Sequence, residues 1–258
     1  MSYIIGTVVE TDQGIFCLDP NDNFVSKSLI EDGSYGLYEI ERLKNIITPE
    51  TRILVVGTHI GSLCIPLSKM CKYLVGIEAN PNTFKYLEMN VKLNDCENVS
   101  VHNVAANDTN GLIQFVLNTD NSGGSKRKPL YADKDYYYDD PETVTVEAVR
   151  LDEFLENQYF DIILMDIEGS EYFALCGMQN ILETAHTLIV EYLPHHLSRV
   201  AGITPEQFLE PISKHYDTLS IPVANYQTFL NHQFLQVLSE MSDRNIGDDG
   251  IIFRKTIR

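Results

Sequence analysis

Two glycines four residues apart, Gly57 and Gly61, follow the apolar run Ile53-Leu54-Val55-Val56 in "ILVVGTHIGSLCIPLS". Glycine lets the main chain turn tightly and lets a ligand lie against the backbone. A helix that opens after such a turn offers unpaired N–H donors. Glu78 ends the next apolar run, "YLVGIEANP", and lies 21 residues after Gly57. A carboxylate in that position can accept hydrogen bonds from the hydroxyls of a ribose. After a third run comes "NVAANDTNG", where Asn107 and Asp108 could reach an adenine edge.

The spacing is G-x-x-x-G. It is neither the dinucleotide fingerprint G-x-G-x-x-G nor the Gly-Lys-Ser/Thr of a P-loop. The missing phosphate cradle argues against NAD and ATP and fits a nucleoside without phosphate, such as S-adenosylmethionine. The bland alternative is that the glycines only allow strand and helix to pack closely, with Glu78 solvated.

A second group of acids, Asp166, Glu168 and Glu171, crowds "DIILMDIEGSEYFALCGM" around Gly169, and "LIVEYLPHH" adds Glu191, His195 and His196. Acids this close repel one another unless a cation sits nearby. One could face a sulfonium and another could take a proton from a substrate hydroxyl. Asp166 caps a buried strand and is the favoured functional residue. Glu171 reads better as a favourable charge near a helix N-terminus. A divalent metal on Asp166, Glu191 and His195 is the weakest use, because the spacing matches no closed motif. No metal is expected.

These residues need a frame that brings strand ends together. Short strands are expected over 3–9 and 14–18, then a helix through "SYGLYEIERLKNII". From there strands alternate with helices: strand 53–56, helix 61–71, strand 73–77, helix 81–94, strands 98–104, 112–117, 143–149 and 161–166, helix 170–182, strand 187–192, and a helix over 204–216 that fades near Pro211. "GIIFRK" (250–255) reads as a last strand, possibly an edge. The alternation predicts a mostly parallel sheet with helices on both faces. Residues 118–142, rich in Gly, Ser, Asp and Tyr, interrupt it. They read either as a lid against a sugar face or as a mobile surface loop. Residues 1–50 read as an extension packed on a domain over 51–258.

Of the 258 residues, 19 are Lys or Arg and 37 are Asp or Glu, for a formal charge of −18. The only short basic run, Lys126-Arg127-Lys128, is followed closely by Asp133, Asp135, Asp139 and Asp140. Nucleic acid is therefore disfavoured as a partner. Five cysteines, with no Cys-x-x-Cys pair, read as free thiols in a reducing compartment. No signal peptide and no membrane span is readable, so the expected location is cytoplasmic.

Taken together the chain resembles the FkbM family of S-adenosylmethionine-dependent methyltransferases. The most specific piece is "LDEFLENQYFDIILMDIEGSEYFALCGM", with "ILVVGTHIG", "VGIEANP", "NVAANDTNG" and "LIVEY" in matching order. The resemblance implies a class I methyltransferase fold: a Rossmann-like three-layer αβα sandwich with a seven-stranded, mostly parallel sheet whose last strand is antiparallel. It implies methyl transfer to oxygen, on a sugar or a secondary metabolite. On that pattern Gly57, Thr58, His59 and Gly61 lie along the methionine end of the cofactor. Glu78 lies at its ribose, with Ala79 also touching the cofactor, Asn107 or Asp108 near adenine, and Asp166 at the reacting centre. Asp166 and His195 are the candidate bases. The family's usual acid two residues before the first glycine is replaced by Val55. Either Asp166 compensates, or the cofactor is held weakly or not at all. The competing reading is a non-catalytic cofactor- or nucleoside-binding protein on the same fold.

Overall fold

The computed structural model describes residues 4–132 and 134–256; Tyr3, in the expected first strand, and Asp133 lie outside the described residues. The chain opens with an antiparallel hairpin of β1 (Thr7–Thr11) and β2 (Gly14–Leu18). Next come β3 (Arg52–Val56), β4 (Tyr73–Ile77) and β5 (Val99–His102). They are followed by β6 (Ala105–Ala106), β7 (Gly111–Leu117), β8 (Lys126–Arg127) and β9 (Glu142–Val149). After β10 (Ile162–Met165) and β11 (Thr187–Tyr192) come β12 (Thr218–Ile221), β13 (Gln227–Leu230) and β14 (Asp248–Arg254).

The main sheet has eight strands in the order β13-β12-β14-β11-β10-β3-β4-β5. The five strands from β11 to β5 are parallel, and β14 runs antiparallel to β11. This is a class I methyltransferase arrangement with one more strand than expected. Strand β14 is interior, paired to β11 on one side and β12 on the other; it is not the edge. Strands β7 and β9, expected within the alternation, instead form a separate four-stranded sheet with β6 and β8.

Alternation along β3 splits the core into two layers. Leu54 and Val56 pack with Val75, Leu175, Leu182 and Phe208 on one face. Ile53 and Val55 pack with Leu43, Cys64, Leu67 and Leu74 on the other. Period-two side-chain direction makes a fully apolar strand serve both faces.

The helix Pro81–Leu93 forms as its sequence predicts, with Asn80 accepting from the backbone N–H groups of Asn82 and Thr83. Other helices are shorter than expected. The helix after the glycine turn spans only Cys64–Ser68, and Pro66 inside it supplies no N–H to the ladder. The expected helix 170–182 is two helices, Glu171–Cys176 and Gln179–Thr184, with Gly177 between them. A Cβ on Gly177 would stand 1.9 Å from the carbonyl oxygen of Asn107, so the break is where a neighbouring loop touches the backbone. The helix expected over 204–216 covers Pro205–Leu209.

All five cysteines are free. Among the described residues no helix is long and apolar enough to cross a membrane.

Candidate active site

Gly57 ends β3 with φ 90°. Its N–H and that of Thr58 both donate to the carbonyl of Ile77, at 2.9 and 3.1 Å. A Cβ at Gly57 would stand 1.8 Å from the carbonyl oxygen of Asp166. Glycine is required there because the end of β10 lies directly against the turn. Gly61, φ 93°, sits against Leu87 of the helix Pro81–Leu93 and does not line the cleft.

Glu78 ends β4, 8% exposed. Its two oxygens accept from the N–H groups of His59 and Asn80, both at 2.8 Å. Burial nevertheless pushes its pKa up to about 7. His59 adopts φ 53° and its Nε2 lies 2.7 Å from Ser122 Oγ, which donates to Asp22. Burial lowers the His59 pKa to about 4, against the pull of Asp22. The glycine turn is thereby tied both to the Glu78 carboxylate and to the 118–142 segment.

These residues line a cleft of ≈ 730 Å³ at the carboxyl ends of the parallel strands. Gly57, Thr58, His59, Glu78, Ala79, Asn107 and Asp166 all border it. Asp108 does not; its carbonyl accepts from Arg150 instead. The Asn107 amide donates to Thr109, at 3.0 Å to the carbonyl and 3.2 Å to Oγ1. Ala105, Ala106, Ile113 and Phe115 add an apolar wall. Val55, buried, also lines the cleft and leaves a methyl surface where the family's usual acid would be.

Sequence reasoning missed the acids that face this gap. Glu39 lies in the helix Leu37–Lys44, and Asp248 and Asp249 begin β14; all three line the cleft. Their signals were weak: Glu39 sits within an ordinary amphipathic pattern, and the acid pair precedes an apolar strand. Arg42 neutralises Glu39 and donates to the carbonyl of Gly250 at 3.0 Å. Asp166 stands open to the cleft at its floor. Partial dehydration, then Glu168, Asp249, Glu39 and Glu78, raise its pKa. A cleft this rich in carboxylates favours a cationic ligand.

Glu171 is 2% exposed and its Oε1 accepts from the N–H groups of Ile167 and Gly169, at 3.0 and 3.2 Å. It holds the turn around Gly169. Glu168, at φ 55°, projects elsewhere: its Oε2 lies 3.1 Å from His196 Nδ1 and 4.0 Å from Lys126 Nζ. Glu191 reaches the same point, 3.8 Å from His196 Nδ1. Burial, then His195 and Lys126, lower the His196 pKa to about 3, so its imidazole is neutral. The structure thus brings Glu168, Glu191 and His196 together. His195 stands beside them, its ring centroid 4.3 Å from that of His196, and lines a second cavity of ≈ 780 Å³.

The 118–142 segment walls that second cavity. Strand β8 pairs with β7, and the N–H groups of Leu130 and Tyr131 donate to Val200 and Arg199. Tyr136 is buried against the His196 ring, and Tyr138 borders the cavity. The basic run is not a surface patch: Lys126 is buried, and the Arg127 guanidinium lies 3.7 Å over the Phe173 ring.

The sheet order and the cleft at its strand ends are those of the class I methyltransferase fold. The family model described as "Methyltransferase FkbM domain" matches residues 56–245, most of the chain. The chain belongs to that family, whose methyl donor is S-adenosylmethionine. Among solved structures it is similar to an FkbM methyltransferase from Methylobacillus flagellatus, at 15% identity and TM-score 0.47 over 80% of this chain and 44% of that one. It is also similar to an rRNA methylase from Streptococcus thermophilus, at 10% identity and TM-score 0.46 over 85% of this chain and 95% of that one. The chain spans less than half the length of the Methylobacillus protein. A comparison with curated proteins finds no match.

The cleft fits the donor. The Gly57 turn leaves bare backbone at its wall, and Glu78 presents a buried carboxylate to it. Thr58 Oγ1 is buried with no hydrogen-bond partner among the described residues. The surrounding carboxylates suit a sulfonium and an ammonium.

Proposed function

We propose that this chain is an S-adenosylmethionine-dependent O-methyltransferase acting on a hydroxyl of a sugar or a secondary metabolite. The observation that carries this reading is the junction of the two cavities. Glu168 and Asn121 line both, so the second cavity adjoins the donor cleft at these residues, Glu168 being two positions after Asp166. Its border of Lys126, Tyr136, Tyr138, His195 and Ser198 is polar and aromatic, which suits a polyhydroxylated ring.

The donor supplies an electrophilic methyl group. Gly57, Thr58 and Glu78 hold its nucleoside and methionine portions; Asp249 and Asp166 offset its positive charge. The acceptor oxygen forms a bond to the methyl carbon as the C–S bond breaks, and that electron pair stays on sulfur. The hydroxyl proton passes to a base of this chain. Asp166, with its raised pKa at the cleft floor, is the better placed base; His195 is the alternative from the acceptor side. Alignment of the two substrates supplies the larger share of the rate.

The net charge of −18 supports a small-molecule acceptor over nucleic acid, and five free thiols support a cytoplasmic setting. Residues 1–50 serve as an extension of the methyltransferase domain over 51–258, bound through Asn90 and Asn94 of the helix Pro81–Leu93.

The test is transfer of labelled methyl from S-adenosylmethionine to a panel of sugars and hydroxylated metabolites, for wild type and Asp166→Asn. Label in an ether product, lost in the variant, supports the reading. Val55 favours a second reading, a donor-binding protein without turnover. Donor binding with no transfer to any acceptor would favour that one.

A further inference from the structure

We propose that Glu168, Glu191 and His196 form a binding site for a single divalent transition-metal ion. The three residues lie at or just after the ends of two adjacent parallel strands. Met165 of β10 pairs with Val190 of β11, so the loop after β10 and the end of β11 emerge side by side. Glu168 lies on that loop, Glu191 is in β11, and His196 ends the short helix Pro194–His196. One ligand atom from each lies within 4.8 Å of the others.

The spacing fits one ion. Two ligand atoms each about 2.1 Å from a metal stand about 3.0–3.4 Å apart for right-angled to tetrahedral geometry. His196 Nδ1 lies 3.1 Å from Glu168 Oε2 and 3.8 Å from Glu191 Oε2. Glu191 must move inward for all three atoms to reach one ion.

A second observation points to a missing ligand. Glu191 and His196 are each 6% exposed. Glu191 Oε2 and His196 Nδ1 have no hydrogen-bond partner among the described residues. Although the His196–Glu168 pair is close, its geometry is not that of a hydrogen bond, so the ring nitrogen is aimed past the oxygen. A buried carboxylate oxygen and a buried ring nitrogen left unpaired cost several kcal/mol. An ion set between them would satisfy both. Lys126 Nζ stands 4.0 Å from Glu168 Oε2 and donates to the carbonyl of Gly124; its charge also acts on Glu191, but it makes no hydrogen bond to Glu191 Oε2 or His196 Nδ1.

Donor type sets the metal class. One imidazole and two carboxylates suit Mn²⁺, Fe²⁺, Co²⁺ or Zn²⁺ better than Mg²⁺ or Ca²⁺, which favour all-oxygen shells. Three protein ligands leave coordination positions open. Glu168 and Glu191 border the donor cleft, and Glu168 and His196 border the second cavity. The open positions therefore lie where the two cavities meet. Resting on the O-methyltransferase reading, such an ion would take the acceptor hydroxyl oxygen and favour loss of its proton.

The test needs no turnover. Protein stripped with EDTA is titrated with Mn²⁺, without donor, while the free-ion electron paramagnetic resonance signal is followed. The expected result is one ion per chain. Glu191→Gln, close to isosteric, and His196→Ala each weaken binding roughly 10–100-fold. Lys126→Met, which removes the competing cation, tightens it severalfold. Circular dichroism establishes that each variant is folded, and Glu168→Gln stands in for any that is not. Absence of binding by wild type at about 1 mM Mn²⁺, an affinity of only about −4 kcal/mol, would overturn the site. So would binding that none of the substitutions changes. Because binding is read directly, an acceptor panel that yields no product leaves this result standing, and the reverse also holds.

Discussion

The side-chain amide of Asn90 donates to the carbonyl of Ile60 at 2.9 Å and joins the long helix to the glycine turn. The same side chain pairs with the N–H and the carbonyl of Cys17 in β2, at 2.6 and 3.2 Å. Asn90 is fully buried. One residue therefore satisfies three backbone groups from two segments that no local pattern connects. Asn90→Leu fills the space and leaves all three unpaired. At about 1–3 kcal/mol per orphaned group, partly relieved by rearrangement, the expected loss is roughly 2–5 kcal/mol. Urea unfolding measures it; a loss under about 1 kcal/mol would mean that water or a shifted hairpin replaces the bonds.

Gly57 and Gly61 look equivalent in the sequence and differ in what surrounds them. A Cβ at Gly57 meets backbone at 1.8 Å, whereas one at Gly61 meets only side chains, the tip of Leu87 at 3.0 Å and Ile65 from 3.5 Å. Both have positive φ, so alanine is strained at either position. Gly57→Ala is expected to cost roughly 2–4 kcal/mol and to abolish donor binding, because the β3 and β10 ends must separate. Gly61→Ala is expected to cost about 1–2 kcal/mol and to leave measurable donor affinity. Calorimetric titration with S-adenosylhomocysteine, alongside thermal melts, compares them; equal effects would refute the ranking.

The parallel centre of the sheet was legible because its strands are short, wholly apolar and end in glycine or acid, as at Val56-Gly57 and Ile77-Glu78. Strands β12 and β13 were not. "TLSI" is only four residues, and "QTFL" lies half-exposed at the sheet edge after a turn with Asn225 and Tyr226 at positive φ. No periodicity survives that length. The interior place of β14 was also hidden, since an edge and a central strand share the same apolar run until the partner on the second side is known. Asp166 and Glu78 could be found because they cap strands. Which of the two adjacent histidines enters the acidic cluster depends on the pitch of the short helix Pro194–His196, and that follows from packing against Tyr136.

Glu171 opens the helix Glu171–Cys176, the helix-terminal place that its sequence position suggests, and it also serves the turn before that helix. Its Oε1 collects the N–H groups of Ile167 and Gly169 and so shapes the segment between Asp166 and Ser170. Glu171→Gln retains an acceptor oxygen and is expected to change stability by less than about 1 kcal/mol. Glu171→Ala orphans both donors in a buried turn and is expected to cost roughly 2–4 kcal/mol. Donor affinity should fall with the alanine variant only. Equal loss in both would show that charge, not hydrogen-bond acceptance, is what the turn requires.

Burial holds Glu78 up to about 7 in the folded chain, against about 4.3 for an unperturbed glutamate. Below about pH 4.3 it is largely protonated whether the chain is folded or not. Between that value and neutrality the folded state keeps a proton that the unfolded state has released, so stability falls as pH rises through the interval. Above neutrality the carboxylate is ionised in both states and the full penalty is in place. Glu78→Gln cannot ionise and carries only a pH-independent cost, from placing its amide against the N–H of His59 or Asn80. The Tm difference between variant and wild type is therefore expected to move in favour of the variant between about pH 5.5 and 8. Donor binding should show the opposite preference, because a carboxylate accepts ribose hydroxyls and attracts a cation better than an amide does. At the alkaline end Glu78→Gln should bind S-adenosylmethionine roughly 10–100-fold more weakly, for the loss of about 1.5–3 kcal/mol of charge-assisted hydrogen bonding. Melts and calorimetric titrations at both pH values test the two trends together. A Tm difference that stays flat would show that Glu78 is already ionised throughout, held by its two backbone donors and the water of the cleft.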